Sequence, residues 1–282
     1  MSGIVWLASF PKSGNTWFRA FLANLIANRP EPVEINELGY GTFASRQNFD
    51  AVLGWETSDL PAEAVNRLRP QVQDVLARGE NVFFKAHEAF THPQTGEPLF
   101  SLGATRAALY FIRNPLDVAV SYGLHIGKDS DAAIDRMNDR AAHLLPSRGK
   151  LSAQIAQPLG DWSGHVRSWV DAPGLRVQVV RYEDMLDRTM EVFTAACRFT
   201  GLPDEPGRVA RALAHSSFKE LQRQEGAKGF IEAAQPGNTF FRSGRAGGWR
   251  DILSSQQVAR IVDSHSEVMR RFGYLGSDGS CL

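Results

Sequence analysis

The sequence predicts an α/β fold, with a mainly parallel central sheet flanked by helices. Three observations predict it. Apolar runs of strand length recur at 4–9, 82–87, 107–112 and 175–182. The segments between them carry apolar residues at helical spacing. Strands that alternate with helices form parallel sheets, because a parallel pair needs a crossover connection. The third observation is size: 282 residues with 43% hydrophobic content can fill one large core of this class. The chain is read as a single domain over 1–282.

The first run leads into Phe10-Pro11-Lys12-Ser13-Gly14-Asn15-Thr16-Trp17. Pro11 and Gly14 break the strand, and Asn15 and Thr16 suit helix entry. Trp17, Phe18, Phe21, Leu22, Leu25 and Ile26 then recur at helical spacing. A strand feeding a glycine-containing turn at a helix N-terminus offers backbone N–H groups and a positive dipole end, which suits a phosphate. Lys12 adds a mobile charge. The turn is not a Walker A loop, because its lysine precedes the only glycine. On the residues alone, a phosphate loop and an ordinary βα turn with a surface lysine both stand.

Asn28-Arg29-Pro30-Glu31-Pro32 ends the first helix. Residues 33–60 are weakly patterned, with Tyr40, Phe43, Phe49 and Trp55, and read as a pocket-lining or packed surface loop. Residues 61–78 read as an amphipathic helix ending at Gly79. In the second strand, Lys85 and His87 share a face and Glu88 points elsewhere. A cation beside a base fits there, as does a solvated lysine beside a hydrogen-bonded histidine.

The third strand ends at Arg113, where open α/β sheets place ligands. Asn114 caps the next helix and Pro115 takes its first position. Ser121 lies two turns in, as a ligand or as a serine bonded to its own backbone. Residues 126–158 are polar and read as an insertion. Trp162, His165, Val166 and Trp169 mark a helix face. Helices are expected over 188–200, 204–214 and 255–272. The glycine-rich stretch 222–248 carries Arg223, Lys228, Arg242 and Arg245 and reads as a flexible basic flap.

Composition excludes several classes. Lys+Arg and Asp+Glu both total 31, so no global basic field calls for nucleic acid, and any anion must meet a local cluster of cations. The 2 cysteines, Cys197 and Cys281, build neither a disulfide framework nor a cysteine zinc site. His92, His125, His143, His165 and His265 show no metal-ligand spacing. No run reaches transmembrane length. The first strand begins almost at once, leaving no room for a signal peptide, so a cytoplasmic protein is expected.

Six segments in order resemble the sulfotransferase family that uses 3′-phosphoadenosine 5′-phosphosulfate. Ser9-Phe10-Pro11-Lys12-Ser13-Gly14-Asn15-Thr16-Trp17 is similar to its 5′-phosphosulfate loop, usually written YPKSGTTW. Arg113-Asn114-Pro115-Leu116-Asp117-Val118-Ala119-Val120-Ser121-Tyr122 resembles its 3′-phosphate motif. Lys85-Ala86-His87 resembles the K-T-H segment, Tyr182-Glu183-Asp184-Met185 the Y-E-D-M segment and His215-Ser216-Ser217-Phe218 the H-T-S-F segment. Phe241-Arg242-Ser243-Gly244-Arg245-Ala246-Gly247-Gly248-Trp249 resembles the late F-R-K-G-x-x-G-D-W loop. Phe10, Asn15, Ser243 and Gly248 depart from the family's Tyr, Thr, Lys and Asp. Its dimer motif is not readable in Arg250 to Ala259, so the resemblance gives no oligomeric state.

The resemblance implies a P-loop-like nucleotide-binding fold and sulfuryl transfer to a hydroxyl or an amine, without a metal. Lys12 would bond the oxygen bridging phosphate and sulfate, and Ser13, Gly14, Asn15 and Thr16 would hold the 5′-phosphate through backbone N–H groups. Trp17 and Phe218 would flank the adenine, with Tyr182 and Ser217 bonding near it. Arg113, Ser121, Arg242, Ser243 and Gly244 would surround the 3′-phosphate. His87 would take the acceptor's proton, and Lys85 would stabilise the transferring group. The implied product is adenosine 3′,5′-bisphosphate. Small-molecule, glycan, lipid and peptide natural-product acceptors are all compatible with loops 33–60, 88–100, 126–158 and 222–241. Two other readings compete: an ATP-dependent small-molecule kinase with a degenerate P-loop, and a non-catalytic nucleotide-binding protein.

Overall fold

The structure is a computed structural model that describes residues 2–80, 82–144, 152–233 and 239–282. Strand β1 (Ile4–Ser9) is followed by helix α1 (Asn15–Ala27). Helices α2 (Arg46–Leu53) and α3 (Ala62–Leu76) precede strands β2 (Phe83–Ala86) and β3 (Thr105–Ile112). Next come α4 (Pro115–Ile126), α5 (Ser130–Asn138), the short strands β4 (His143–Leu144) and β5 (Gln157–Pro158), and α6 (Trp162–Val170). Strand β6 (Val177–Arg181) runs directly into α7 (Tyr182–Asp187). Helices α8 (Thr189–Thr200), α9 (Pro206–His215), α10 (Phe218–Lys228) and α11 (Ser255–Arg271) complete the chain.

The expected α/β fold is present. The sheet order is β2-β1-β3-β6, while β4 and β5 form a separate antiparallel pair. Strand β1 is buried at all its positions, which explains its unbroken apolar run. It pairs with β2 in parallel, Val5 opposite Phe83 and Ala8 opposite Ala86.

The chain divides into two compact units. The first comprises Met1–Phe10, Gly41–Tyr110 and Arg136–Val179. Its core is built on Trp6, whose ring meets Phe43 at 5.4 Å and Phe100 at 4.7 Å, both edge-on. The Trp6 indole N–H donates to Thr105 Oγ1 at 2.8 Å, so the one polar atom of that ring is satisfied. Phe90, Phe100 and Trp169 extend the cluster. Such aromatic pairs add about 0.5–1.5 kcal/mol each beyond burial.

The second unit comprises Pro11–Tyr40, Phe111–Asp135 and Val180–Leu282. Phe18 and Phe21 of α1 pack on Phe193 of α8, at 5.6 and 4.7 Å. A further cluster joins Ala20, Ala23, Ile35, Leu38, Leu221, Phe230 and Phe241.

That cluster corrects the expected flap. Residues 222–228 are the second half of α10, and Phe230 and Phe241 are buried. The sequence hides this because the buried faces of α10 are partly polar. Gln224 Oε1 accepts from the Ile35 N–H, and the Glu225 carboxylate accepts from the N–H groups of Phe240 and Phe241. Residues 234–238 of that stretch lie outside the described residues. The 126–158 stretch is likewise not all loop: α5 buries Ala133, Ile134 and Met137, and residues 145–151 lie outside the described residues. Helix α2, in the weakly patterned 33–60, buries Phe49.

One ion pair of the first unit is wholly buried. Arg69 Nη1 meets Glu88 Oε1 at 3.0 Å, and both side chains are 0% exposed. The guanidinium is further satisfied by Ala156 O and Asn66 Oδ1. Removing one partner of such a pair leaves the other charge buried alone. Arg69→Ala is expected to cost about 3–5 kcal/mol in urea denaturation; a loss below about 1 kcal/mol would mean that Glu88 takes up a proton or reaches water instead.

Candidate functional site

The second unit carries the turn after β1. Lys12 has φ 70° and Gly14 φ 98°, both left-handed. Gly14 has no alternative there: a Cβ would stand 2.8 Å from Cδ2 of Tyr182. Gly14 caps α1 with no side-chain hydrogen bond, so no cap side chain occupies the first N–H groups of that helix. Ser13 Oγ is buried and has no hydrogen-bond partner among the described residues, and the same holds for Trp17 Nε1 and Arg113 Nε. These are donors awaiting an acceptor, the opposite of a finished core.

Arg113 follows β3 and meets the turn. Its Nη1 donates to Lys12 O at 3.2 Å and its Nη2 to Arg245 O at 3.1 Å, while the guanidinium lies 4.4 Å from the Tyr182 ring centre. Helix α4 then begins as the sequence predicts, with Asn114 Oδ1 accepting from Leu116 N–H and Pro115 in the first turn. Ser121 lies half-buried on α4. Tyr182 opens α7, next to Trp17 at 6.2 Å edge-on. Burial raises its phenol pKa and Arg113 opposes that rise.

The late loop reaches the same residues. Gly244 has φ 59°, and a Cβ there would stand 2.6 Å from Phe218 Cδ2, so the Phe218 ring lies flat against the loop backbone. Ser217 caps α10. Arg242, Ser243 and Arg245 are exposed. Lys12 Nζ lies 3.7 Å over the ring of Phe240, and His125 meets that ring edge-on at 6.0 Å.

Two acidic residues hold this loop through its backbone. The Asp117 carboxylate, 4% exposed, accepts from the N–H groups of Gly247 at 2.7 Å and Trp249 at 3.1 Å. Glu225 does the same for Phe240 and Phe241. Asp117 sits in the first turn of α4, where an acidic residue is ordinary on dipole grounds, so the sequence had no signal for its second role.

The first unit carries Lys85 and His87. Lys85 lies in β2, and its backbone pairs with residues 41–43: its N–H donates to Gly41 O and its carbonyl accepts from Phe43 N–H. His87 lies just past β2. Its Nδ1 faces Ser9 O at 2.8 Å. A carbonyl only accepts, so Nδ1 carries a proton, and in the neutral ring Nε2 is left with the lone pair. The His87 N–H donates to Glu88 Oε2 at 3.1 Å, and its carbonyl accepts from His165 Nε2 at 2.9 Å. Glu88 is thus turned inward onto Arg69, as the strand alternation expects.

His165 is 0% exposed. Burial lowers its pKa from 6.5 to about 4, so it is neutral at pH 7. Its Nδ1 accepts from the Tyr110 hydroxyl at 2.8 Å. No group of three His, Cys, Asp or Glu among the described residues could hold a metal ion. No helix there is long and apolar enough to cross a membrane.

The structure gathers Lys12, Ser13, Gly14, Trp17, Arg113, Tyr182, Phe218 and Gly244 within the second unit, and His87 with Ser9 within the first. Compared with known proteins, the chain matches a family model described as Sulfotransferase domain over residues 3–273. Sulfotransferase 2A6 of Rattus norvegicus is 30% identical over 177 residues, which span 61% of this chain and 60% of that protein. Cytosolic sulfotransferase 17 of Arabidopsis thaliana is 25% identical over 288 residues, 96% of this chain and 76% of that protein. Among solved structures, mouse sulfotransferase SULT7A1 complexed with PAP gives a TM-score of 0.58 at 20% identity, covering 95% of this chain and 85% of that one. That last likeness is one of fold.

The buried neutral His165 has a consequence for stability. Its folded pKa lies below the unfolded value, so the unfolded chain binds the proton first as pH falls. Its contribution is complete above pH 6.5 and is lost progressively from 6.5 down to about 4. The loss is on the order of 3 kcal/mol. Urea denaturation of the parent and His165→Gln across that range checks this: the parent should lose more stability than the variant, and equal slopes would remove His165 as the cause.

Proposed function

The chain belongs to the Sulfotransferase domain family, and from that we propose an enzyme that transfers a sulfuryl group from 3′-phosphoadenosine 5′-phosphosulfate to a hydroxyl acceptor, with His87 as general base. The observation that carries the reading is Arg113. One guanidinium spans the Lys12 carbonyl, the Arg245 carbonyl and the Tyr182 ring, and still keeps its buried Nε without a hydrogen-bond partner among the described residues. With Ser13 Oγ just before α1, it gives an anionic nucleotide buried side-chain donors that have no hydrogen-bond partner among the described residues. These residues fit a phosphorylated nucleotide, and a related fold is known complexed with PAP.

When bound, the donor supplies an activated sulfuryl group whose S–O bond to the 5′-phosphate breaks as the acceptor oxygen attacks. Lys12 carries charge opposite that departing phosphate, and the N–H groups of Ser13, Gly14, Asn15 and Thr16 hold it. Trp17 and Phe218 flank the adenine, with Tyr182 and Ser217 beside it. Arg113, Ser121, Arg242, Ser243 and Gly244 receive the 3′-phosphate. Ser243 supplies no cation there, so Arg113 and Arg242 bear that charge. His87 receives the acceptor proton at Nε2, the nitrogen that the Ser9 carbonyl leaves unprotonated. Lys85 stabilises the charge on the transferring group. We read 1–282 as one catalytic domain working without a metal. A cytoplasmic location belongs to the same reading, following the relative named a cytosolic sulfotransferase. Labelled-sulfate transfer across phenols, alcohols, glycans, lipids and peptides identifies the acceptor.

Calorimetry with adenosine 3′,5′-bisphosphate tests the nucleotide site. Binding without Mg²⁺ is expected; binding of ATP only, and only with Mg²⁺, would favour a kinase. Arg113→Ala should weaken the bisphosphate about tenfold or more, the value of one charge-assisted hydrogen bond. An unchanged Kd would take Arg113 out of the site.

His87→Ala separates base from binding. A positioned general base is worth about 10²–10⁴ in rate. Turnover should fall by that order while the Kd for the bisphosphate stays near the parent value. Near-full turnover in His87→Ala would end the base assignment.

A further inference from the structure

We propose that His165 and Tyr110 are positioning residues for His87: a buried relay from the Tyr110 hydroxyl through the His165 ring to the His87 carbonyl fixes the plane in which His87 presents Nε2. This rests on the reading of His87 as the base and adds to it two residues that touch neither nucleotide nor acceptor.

An imidazole in a loop past a strand end has two free torsions and two tautomers. A base needs one orientation and one tautomer. His87 is restrained at three atoms. Its ring Nδ1 is bonded to Ser9 O, its N–H to Glu88 Oε2 and its carbonyl to His165 Nε2. The Ser9 bond has the right length only while the His87 peptide stays where the other two hold it.

The third restraint differs in kind from the other two. It comes from a side chain that has no slack. His165 is 0% exposed, its ring centre 5.5 Å from the Phe10 ring centre and the two rings edge-on at 85°. The His87 carbonyl can only accept, so the His165 proton is on Nε2. Nδ1 must then accept, and the Tyr110 hydroxyl lies 2.8 Å away to donate. Tyr110 is itself fully buried in β3 and bonded to the Phe10 backbone. Every donor in the relay thus has one acceptor.

Packing alone does not account for this arrangement. A buried histidine costs stability in acid, and leucine would fill the volume without that cost. What leucine could not do is donate to the His87 carbonyl. The groups facing His165 are Tyr110, Asp161 across the start of α6, and the backbone of His87 and Glu88, with Glu88 itself held by Arg69. None of these replaces the lost donor.

The test reads the His87 ring directly. Protein labelled with ¹⁵N in histidine, saturated with adenosine 3′,5′-bisphosphate, is examined by long-range ¹H–¹⁵N NMR near pH 7.5. The parent should show His87 as a single Nδ1–H tautomer and His165 as a neutral Nε2–H tautomer. His165→Leu should turn His87 into a tautomer mixture and lower kcat about tenfold or more, with the bisphosphate Kd unchanged. His165→Gln, which keeps an N–H donor, should restore the single tautomer and most of the lost turnover. Tyr110→Phe, nearly isosteric, should produce a smaller loss in the same direction, and it decides the matter if His165→Leu does not fold. An unchanged His87 spectrum in His165→Leu or in Tyr110→Phe would overturn the proposal, as would a His165→Gln no better than His165→Leu. The base assignment fails separately, if His87→Ala keeps its turnover whatever the spectra show.

Discussion

Parallel strands end at the same edge of a sheet, so their register decides which residues meet there. In this chain β1 and β2 pair with Ala8 opposite Ala86. One residue further, the Ser9 carbonyl comes to the His87 ring at 2.8 Å. A shift of one residue would reverse every side chain of β2 and turn His87 into the core. That pairing is held by the unbroken burial of β1 and by the aromatic packing around Trp6. The placement of the His87 ring therefore depends on a hydrophobic register, with the polar contacts refining what the register delivers.

Beneath His87 the first unit keeps two polar devices of opposite character. Arg69 and Glu88 form a wholly buried ion pair, and each nitrogen of the guanidinium and each oxygen of the carboxylate has a partner. His165 and Tyr110 are buried without charge, since desolvation pushes the histidine pKa down and the phenol pKa up. The ion pair anchors the His87 amide and the neutral pair anchors its carbonyl. Each would be costly if half satisfied, and neither is.

The second unit fixes the turn after β1 and the late loop through backbone geometry. Lys12 sits at positive φ, and Gly14 and Gly244 sit where any Cβ would strike an aromatic ring. The late loop is not left to glycine alone. Asp117 and Glu225 each spend a buried carboxylate on two of its N–H groups. The loop is thereby held from both ends, while Arg242 and Arg245 stay exposed on it. A loop rich in glycine and cations can thus be anchored firmly through its backbone and still present exposed guanidinium groups, with Arg245 beside Asp251 at 3.5 Å.

The sequence by itself determined the strand runs, the turn after β1, the Asn114 cap with Pro115 and the order of the six motifs. These are local: apolar runs, breakers and caps act through near neighbours. Its residues also marked Lys12, Arg113 and His87 as chemistry at strand ends. It did not determine the helix α10 or the buried role of Asp117, Glu225 and His165. A buried polar residue and a solvated one look alike in a sequence, because the difference lies in a partner far along the chain. Gln224 meets Ile35, Asp117 meets Gly247, and Tyr110 meets His165. Only the tertiary structure brings those partners together, and with them it decides which nitrogen of His87 carries the proton.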